Sequence, residues 1–202
     1  MTARLVVLAS GSGTNFQAVI DACRSGAIDA DIVGLVANRT SAYALDRADG
    51  FGIPARIVTR GVAEERAEYD QRLAETVATL DPDWVVLAGW MRLLSMNFLA
   101  RFPGAVINLH PALPGELPGI NAIDRAWTEA QAGKRSYSGV MVHLVPDEGV
   151  DDGPVLETRI VPIDASGTRE EFASAMHETE RHVLVHTLAK LCNEPKAASP
   201  AD

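Results

Sequence analysis

The sequence predicts an α/β fold: a doubly wound, mostly parallel sheet with helices on both faces and an antiparallel C-terminal edge. Three observations predict it. Strand-like apolar runs recur at residues 5–9, 31–37, 83–89 and 105–109, and a strand apolar at nearly every position is one buried on both faces. The segments between them carry apolar residues at helical spacing, so strand and helix alternate. After residue 137 the strands crowd together, at 138–145 and 154–162, with only a loop between them, as antiparallel neighbours do.

Each element follows from its residues. Residues 5–9 are the first strand. Ser10-Gly11-Ser12-Gly13-Thr14-Asn15 is a turn of small residues, and residues 16–25 form a helix with Phe16, Val19, Ile20 and Cys23 on one face and Gly26 as its stop. Such a turn lets the backbone approach a ligand closely, and the helix's first N–H groups suit a phosphate; a tight turn without a ligand is the plain alternative. The turn lacks the lysine of a P-loop. Phe16 stands where the dinucleotide fingerprint needs a third glycine, and no acidic residue follows the second strand at Val36-Ala37-Asn38-Arg39. Arg39 could receive a 2′-phosphate. An NADP-dependent oxidoreductase or a non-catalytic phosphosugar-binding module therefore stands as the alternative to an enzyme acting on a monophosphate.

Residues 31–37 are the second strand, Ser41 caps a short helix that Gly50 stops, and residues 54–58 are a third strand. A longer helix at 64–80 buries Tyr69, Leu73, Val77 and Leu80; Arg66, on its first turns, reads as a solvated surface charge. The fourth strand, 83–89, runs on through Trp90-Met91-Arg92-Leu93-Leu94, an apolar stretch that could line a flat aromatic ligand, although core packing is the commoner use. Ser95 caps a short helix reaching Phe102. After the fifth strand, residues 111–119 hold three prolines and two glycines, an ordered loop that is neither helix nor sheet. Asn121 starts a helix with Ile123, Ala126, Trp127 and Ala130 on one face. Thr168-Arg169-Glu170-Glu171 is a capping box opening the final helix, to about Leu191.

The chemistry gathers at the fifth strand. Alternate residues of a strand point to one side, so Asn108 and His110 present an amide donor and a titratable ring to the same face. Pro111 has no N–H and ends the strand, and ligands of open α/β sheets bind at that end. A buried Asn and a satisfied His are the plain alternative. The connection at 146–153 holds four carboxylates at a spacing unlike an EF-hand. There is no Gly-x-Ser-x-Gly elbow and no His/Cys zinc cluster, so no metal is expected. An amide, an imidazole and the Asp151/Asp152 pair, with neither nucleophile nor metal, suit direct acyl transfer between two bound substrates. His143, between apolar strand residues, reads as structural and bordering the site. His177, His182 and His186 read as ordinary residues of the last helix.

Composition sets the bounds. The chain has 202 residues, 47% hydrophobic and 22% charged, which suits a single domain at 1–194 with a flexible tail at 195–202. A net charge of −9 argues against a nucleic-acid surface, and no apolar run is long enough to span a bilayer. Cys23 and Cys192 have no CxxC partner and read as buried thiols of a cytoplasmic protein. The expected partners are small molecules, not nucleic acid or membrane.

These residues together resemble a family. Ser10-Gly11-Ser12-Gly13-Thr14-Asn15-Phe16-Gln17 resembles its phosphate turn and Leu87-Ala88-Gly89-Trp90-Met91-Arg92-Leu93-Leu94 its folate segment. Ile107-Asn108-Leu109-His110-Pro111, Pro118-Gly119 and Asp147-Glu148-Gly149-Val150-Asp151-Asp152-Gly153-Pro154 complete the set. The family is the folate-dependent phosphoribosylglycinamide formyltransferases, and the resemblance runs from about Arg4 to Leu191. It implies a formyltransferase-like fold and transfer of formyl from the co-substrate 10-formyltetrahydrofolate to the amine of 5-phosphoribosylglycinamide, the third step of de novo purine synthesis, by a monomer or homodimer. Asn108, His110 and Asp151 match the catalytic set. Gly13, Thr14 and Asn15 match the phosphate contacts, and Glu180 a carboxylate at the ribose. Met91, Arg92, Leu93 and Leu94, with Arg66 and Asn108, match the folate contacts, so the resemblance moves Arg66 from surface to site. One residue more than usual separates His143 from the catalytic aspartate, with Pro146 the expected insertion, and Asp152 is the alternative to Asp151. The 112–117 loop shifts a proline relative to the family. The resemblance also separates the chain from methionyl-tRNA formyltransferase, which carries a further C-terminal domain, and from formyltetrahydrofolate hydrolase, which carries an N-terminal regulatory one.

Overall fold

The computed structural model describes residues 2–193; the tail expected at 195–202 lies outside them. Seven strands form one sheet: β1 (Ala3–Ala9), β2 (Ala30–Ala37), β3 (Ala55–Ile57), β4 (Trp84–Leu87), β5 (Val106–His110), β6 (Tyr137–Leu144) and β7 (Val155–Pro162). Their order is β3-β2-β1-β4-β5-β6-β7. Pairs from β3 through β5 are parallel, and β5–β6 and β6–β7 are antiparallel. The expected fold class and its antiparallel edge are what the chain adopts. The chain leaves β1 toward β2 on one side and later returns to β4 on the other, so the strand order reverses at β1 and β4. That is where open α/β sheets place their ligands.

Period-2 alternation splits the sheet's side chains between two cores. Leu5, Val7, Ala9, Val86, Ile107 and Leu109 face α1 (Thr14–Ser25), α2 (Ala44–Gly50), α5 (Ala122–Gln131) and α6 (Arg169–Asn193). Val6, Leu8, Val85, Leu87 and Val106 face α3 (Arg66–Ala78) and α4 (Met96–Leu99). Asn108 and His110 share the parity of Val106 and so stand on the α3/α4 side.

The capping box at α6 forms as read: Thr168 N donates to Glu171 Oε2 at 2.8 Å and Glu171 N to Thr168 Oγ1 at 3.2 Å. Two other caps do not. The short helix after β2 starts at Ala44 behind Tyr43 rather than at Ser41, because the Ala44 amide is taken by the Gly11 carbonyl of the glycine turn at 3.1 Å. Ser95 stands at the N-cap of α4 but its side chain makes no capping bond; its amide instead donates to the buried Asp70. Cys23 and Cys192 are free and half-buried, and burial pushes the thiols up to about 11 and about 12. No helix among the described residues is long and apolar enough to cross a membrane.

Candidate active site

A cleft of about 730 Å³ opens at the carboxyl ends of the central strands. One wall is residues 89–94, where Met91 and Leu93 are 60% and 53% exposed. Asn108, His110, His143 and Asp151 form its floor, and Asn121, Asp124, His177 and Glu180 its far end.

β5 brings Asn108 and His110 in, and the antiparallel register sets Asn108 directly opposite His143. A register shift between Val142 and His143 interrupts the pairing with β7 at that point, a bulge of the kind that re-aims side chains near sites. Asp151 arrives on the loop between β6 and β7. Its Oδ1 accepts from Asn108 Nδ2 at 3.0 Å, its Oδ2 from the Gly119 amide at 2.8 Å, and His110 Nδ1 lies 3.2 Å from Oδ2. Asp151 holds a left-handed backbone, φ 55°, and so does Leu117, φ 44°; bulky or charged residues stay there only when their surroundings hold them. Leu117 supplies the carbonyl that faces His110 Nε2 at 3.1 Å. Asp152, the alternative aspartate, folds back on Gly149, where a Cβ would meet its Oδ1 at 2.2 Å.

The network assigns the hydrogens. His143 Nδ1 faces the Leu144 carbonyl at 2.8 Å and therefore carries the hydrogen, which leaves Nε2 to accept from Asn108 Nδ2 at 3.1 Å. Both amide hydrogens of Asn108 are thus directed inward, to His143 and Asp151, and its Oδ1 is the atom left for the cleft. The amide donor expected on that face is present, and both its hydrogens are engaged by His143 and Asp151. His110 is 4% exposed. Burial pulls its ring below the ordinary histidine value, opposed by the Asp151 carboxylate and the Leu117 carbonyl. Burial also raises the Asp151 carboxyl, but the hydrogen bond from the Gly119 amide and the charge of His110 outweigh it, so Asp151 ionises more readily than usual.

The glycine turn is built by close packing. Gly13, φ 70°, is the N-cap of α1, and a Cβ on it would lie 2.8 Å from that of Ala44. Ser10 Oγ accepts the Met91 amide at 2.9 Å, which ties the turn to the cleft wall. Gly13, Thr14 and Asn15 themselves are not among the residues lining the cleft; Arg39, on the loop after the adjoining β2, is. Arg92 lies over the Tyr69 ring at 5.4 Å. Arg66 stands outside the cleft lining, bonded to Glu148.

Two histidines read from sequence as structural or ordinary belong to this site. His143 orients Asn108, a role that the pairing of β5 with β6 creates and that its apolar neighbours concealed. His177 lines the cleft and donates to Glu180 at 2.6 Å; this bond holds the ring above its ordinary value, against burial. The signal was the i, i+3 spacing of His177 and Glu180 on one helix.

The family described as Formyl transferase matches residues 3–188. A phosphoribosylglycinamide formyltransferase of Schizosaccharomyces pombe is 40% identical over 97% of this chain and 100% of its own. The chain belongs to the phosphoribosylglycinamide formyltransferase family. The Escherichia coli member is 36% identical, over 89% of this chain and 82% of its own. The crystal structure of glycinamide ribonucleotide transformylase 1 from Geobacillus kaustophilus superposes with a TM-score of 0.87 at 35% identity, covering 95% of this chain and 100% of that one. The oxidoreductase and non-catalytic readings find no support in these matches, and formyl transfer in purine synthesis is this family's reaction.

Proposed function

We propose that this formyltransferase moves the formyl group of 10-formyltetrahydrofolate to the amine of 5-phosphoribosylglycinamide directly, within one cleft, as a cytoplasmic enzyme. The observation that carries the reading is that Asn108 and His110 share the Asp151 carboxylate at 3.0 and 3.2 Å beneath an apolar wall. The wall fits a flat ring system: Met91, Leu93, Ile120 and Val150 expose apolar surface around the mouth, which a soluble protein leaves open chiefly for binding. In this reading Met91, Arg92, Leu93 and Leu94 hold the folate ring system, Arg66 its acidic end, and Asn108 the reacting side.

The phosphoribosyl end takes the far end of the cleft, at His177 and Glu180, and runs out past Arg39 to the glycine turn beyond the cleft lining. Gly13, Thr14 and Asn15 offer backbone N–H groups at the start of α1, and Glu180 accepts from a ribose hydroxyl with His177 beside it. Asn108 Oδ1 accepts an N–H of the amine and aims its lone pair at the formyl carbon. As the C–N bond forms, Asp151 takes the amine's proton and later returns it to the leaving folate nitrogen. A protonated Asp151 holds Asn108 Nδ2 less firmly, so that N–H turns to the developing oxyanion together with the His110 ring hydrogen released from Leu117. Every proton that leaves the amine is thus accounted for by one carboxylate.

A spectroscopic assay for tetrahydrofolate release tests this. Release that requires the glycinamide substrate is the expected result. Release at the same rate without it, or none with it, removes the reading.

A further inference from the structure

The loop that carries Asp151 is held at a second point. Glu148, three residues earlier, accepts from Arg66 Nη2 on Oε2 at 3.0 Å and from the Met96 amide on Oε1 at 2.9 Å. Arg66 is the first residue of α3 and Met96 the first of α4. Arg66 Nε also lies 3.7 Å from Asp70 Oδ2. Asp70 is fully buried, and the same oxygen takes the Ser95 amide at 2.6 Å. Residues 91–94, the apolar wall of the cleft, end immediately before Ser95. Two consecutive amides at the foot of the wall are therefore each held by a carboxylate, and Arg66 ties the two carboxylates together. Asp70 is fixed on α3. Glu148 rides on the loop.

The loop between Glu148 and Asp151 has little slack. Only Gly149 and Val150 intervene; the Gly149 amide donates to Asp147 at 2.9 Å, and Asp152 packs on Gly149. Asp151 keeps its left-handed backbone inside this turn. A shift at Glu148 is passed on to Asp151 rather than absorbed.

We infer that Glu148 is a positioning residue: by bridging Arg66 and the Met96 amide it sets the distance between the cleft wall at 91–94 and the loop that presents Asp151. The inference deepens the reading above and rests on it in taking Asp151 as a participant in the transfer. The charged link to the half-exposed Arg66 contributes little by itself, whereas the bond to a backbone amide fixes the wall's end. Glu148→Gln, which keeps an acceptor for that amide, therefore retains most of the function, and Glu148→Ala does not.

The test compares Glu148→Ala, Glu148→Gln and the parent by steady-state kinetics and by amide hydrogen exchange. In Glu148→Ala we expect a kcat about tenfold lower, a KM for the formyl donor about fivefold higher and a KM for the glycinamide substrate within about twofold, a split that general destabilisation does not produce. Exchange quickens at Met96 and across residues 147–151 while the β5 amides keep their rates. Glu148→Gln stays within about threefold of the parent in kcat. Unchanged exchange at 147–151 in Glu148→Ala overturns the inference, as does faster exchange with parental kcat, or a Gln variant as impaired as the Ala one. A parent protein that transfers no formyl group fails the reading above instead, and the exchange comparison still decides whether Glu148 holds the loop.

Discussion

Both hydrogens of the Asn108 amide and both nitrogens of the His110 ring meet partners inside the protein. The residue types were legible from sequence, since an amide and an imidazole two positions apart on a strand must share a face. Which atom of each meets the cleft was not, because it depends on partners 35 and 43 positions away, His143 and Asp151. Asn108→Ala and His110→Ala should each lower kcat about 10²-fold or more, the effect of losing an oxyanion donor, and steady-state kinetics with saturating substrates check it. His177 gives a pH signature. Its folded value is raised by Glu180, so the pair's stabilisation is fully present below the unfolded ring's value of about 6.5 and is lost as pH rises through the raised folded value. The ring is half exposed, which limits the effect to under about 1 kcal/mol. Urea denaturation of the parent and His177→Gln at pH 5.5 and 9 should show a difference at the lower pH that vanishes at the higher.

Among the elements, the glycine turn was read for its chemistry, and its packing adds a stricter demand. Gly13 combines φ 70° with contact against Ala44, so Gly13→Ala meets strain and a clash at once. We expect a loss of about 1–3 kcal/mol, read as a lower melting temperature, with weaker binding of the phosphorylated substrate measured by calorimetry. The capping box of α6 was visible because its two partners are three residues apart. Ser41 and Ser95 carried the same local signature and do not cap: the Gly11 carbonyl claims the Ala44 amide from a distant part of the chain, and the Phe98 amide that a capping Ser95 side chain would hold goes to the Ser95 carbonyl. The loop at 146–153 showed its four carboxylates in sequence but not their division of labour: Asp151 to the floor of the cleft, Glu148 to α3 and α4, Asp152 to its own turn.

For the molecule as a whole, the sheet is what brings the two halves of the cleft into register. Ile107 is fully buried in the larger core directly between Val106 and Asn108. Ile107→Ala should cost about 2–5 kcal/mol and lower the melting temperature by about 2–4 °C for each of them in a protein of this size, checked by calorimetry. Turnover measured well below the new transition should fall less than in Asn108→Ala, because a cavity on the opposite face of β5 leaves the Asp151 contacts in place.

Apolar runs, turn residues and helical spacing act over a few positions, and that range sufficed for the alternating strands and helices, the parallel body with its antiparallel edge, and the chemistry waiting at the end of β5. The sequence by itself also determined the family, since the ordered motifs carry it. Tertiary structure alone decided which aspartate meets Asn108, that His143 and His177 join the cleft, that Arg66 turns to Glu148, and which way each amide and ring points. Those outcomes are settled by hydrogen bonds between residues far apart in the chain, and such bonds exist only once the strand register has brought their donors and acceptors within 3 Å or so of each other.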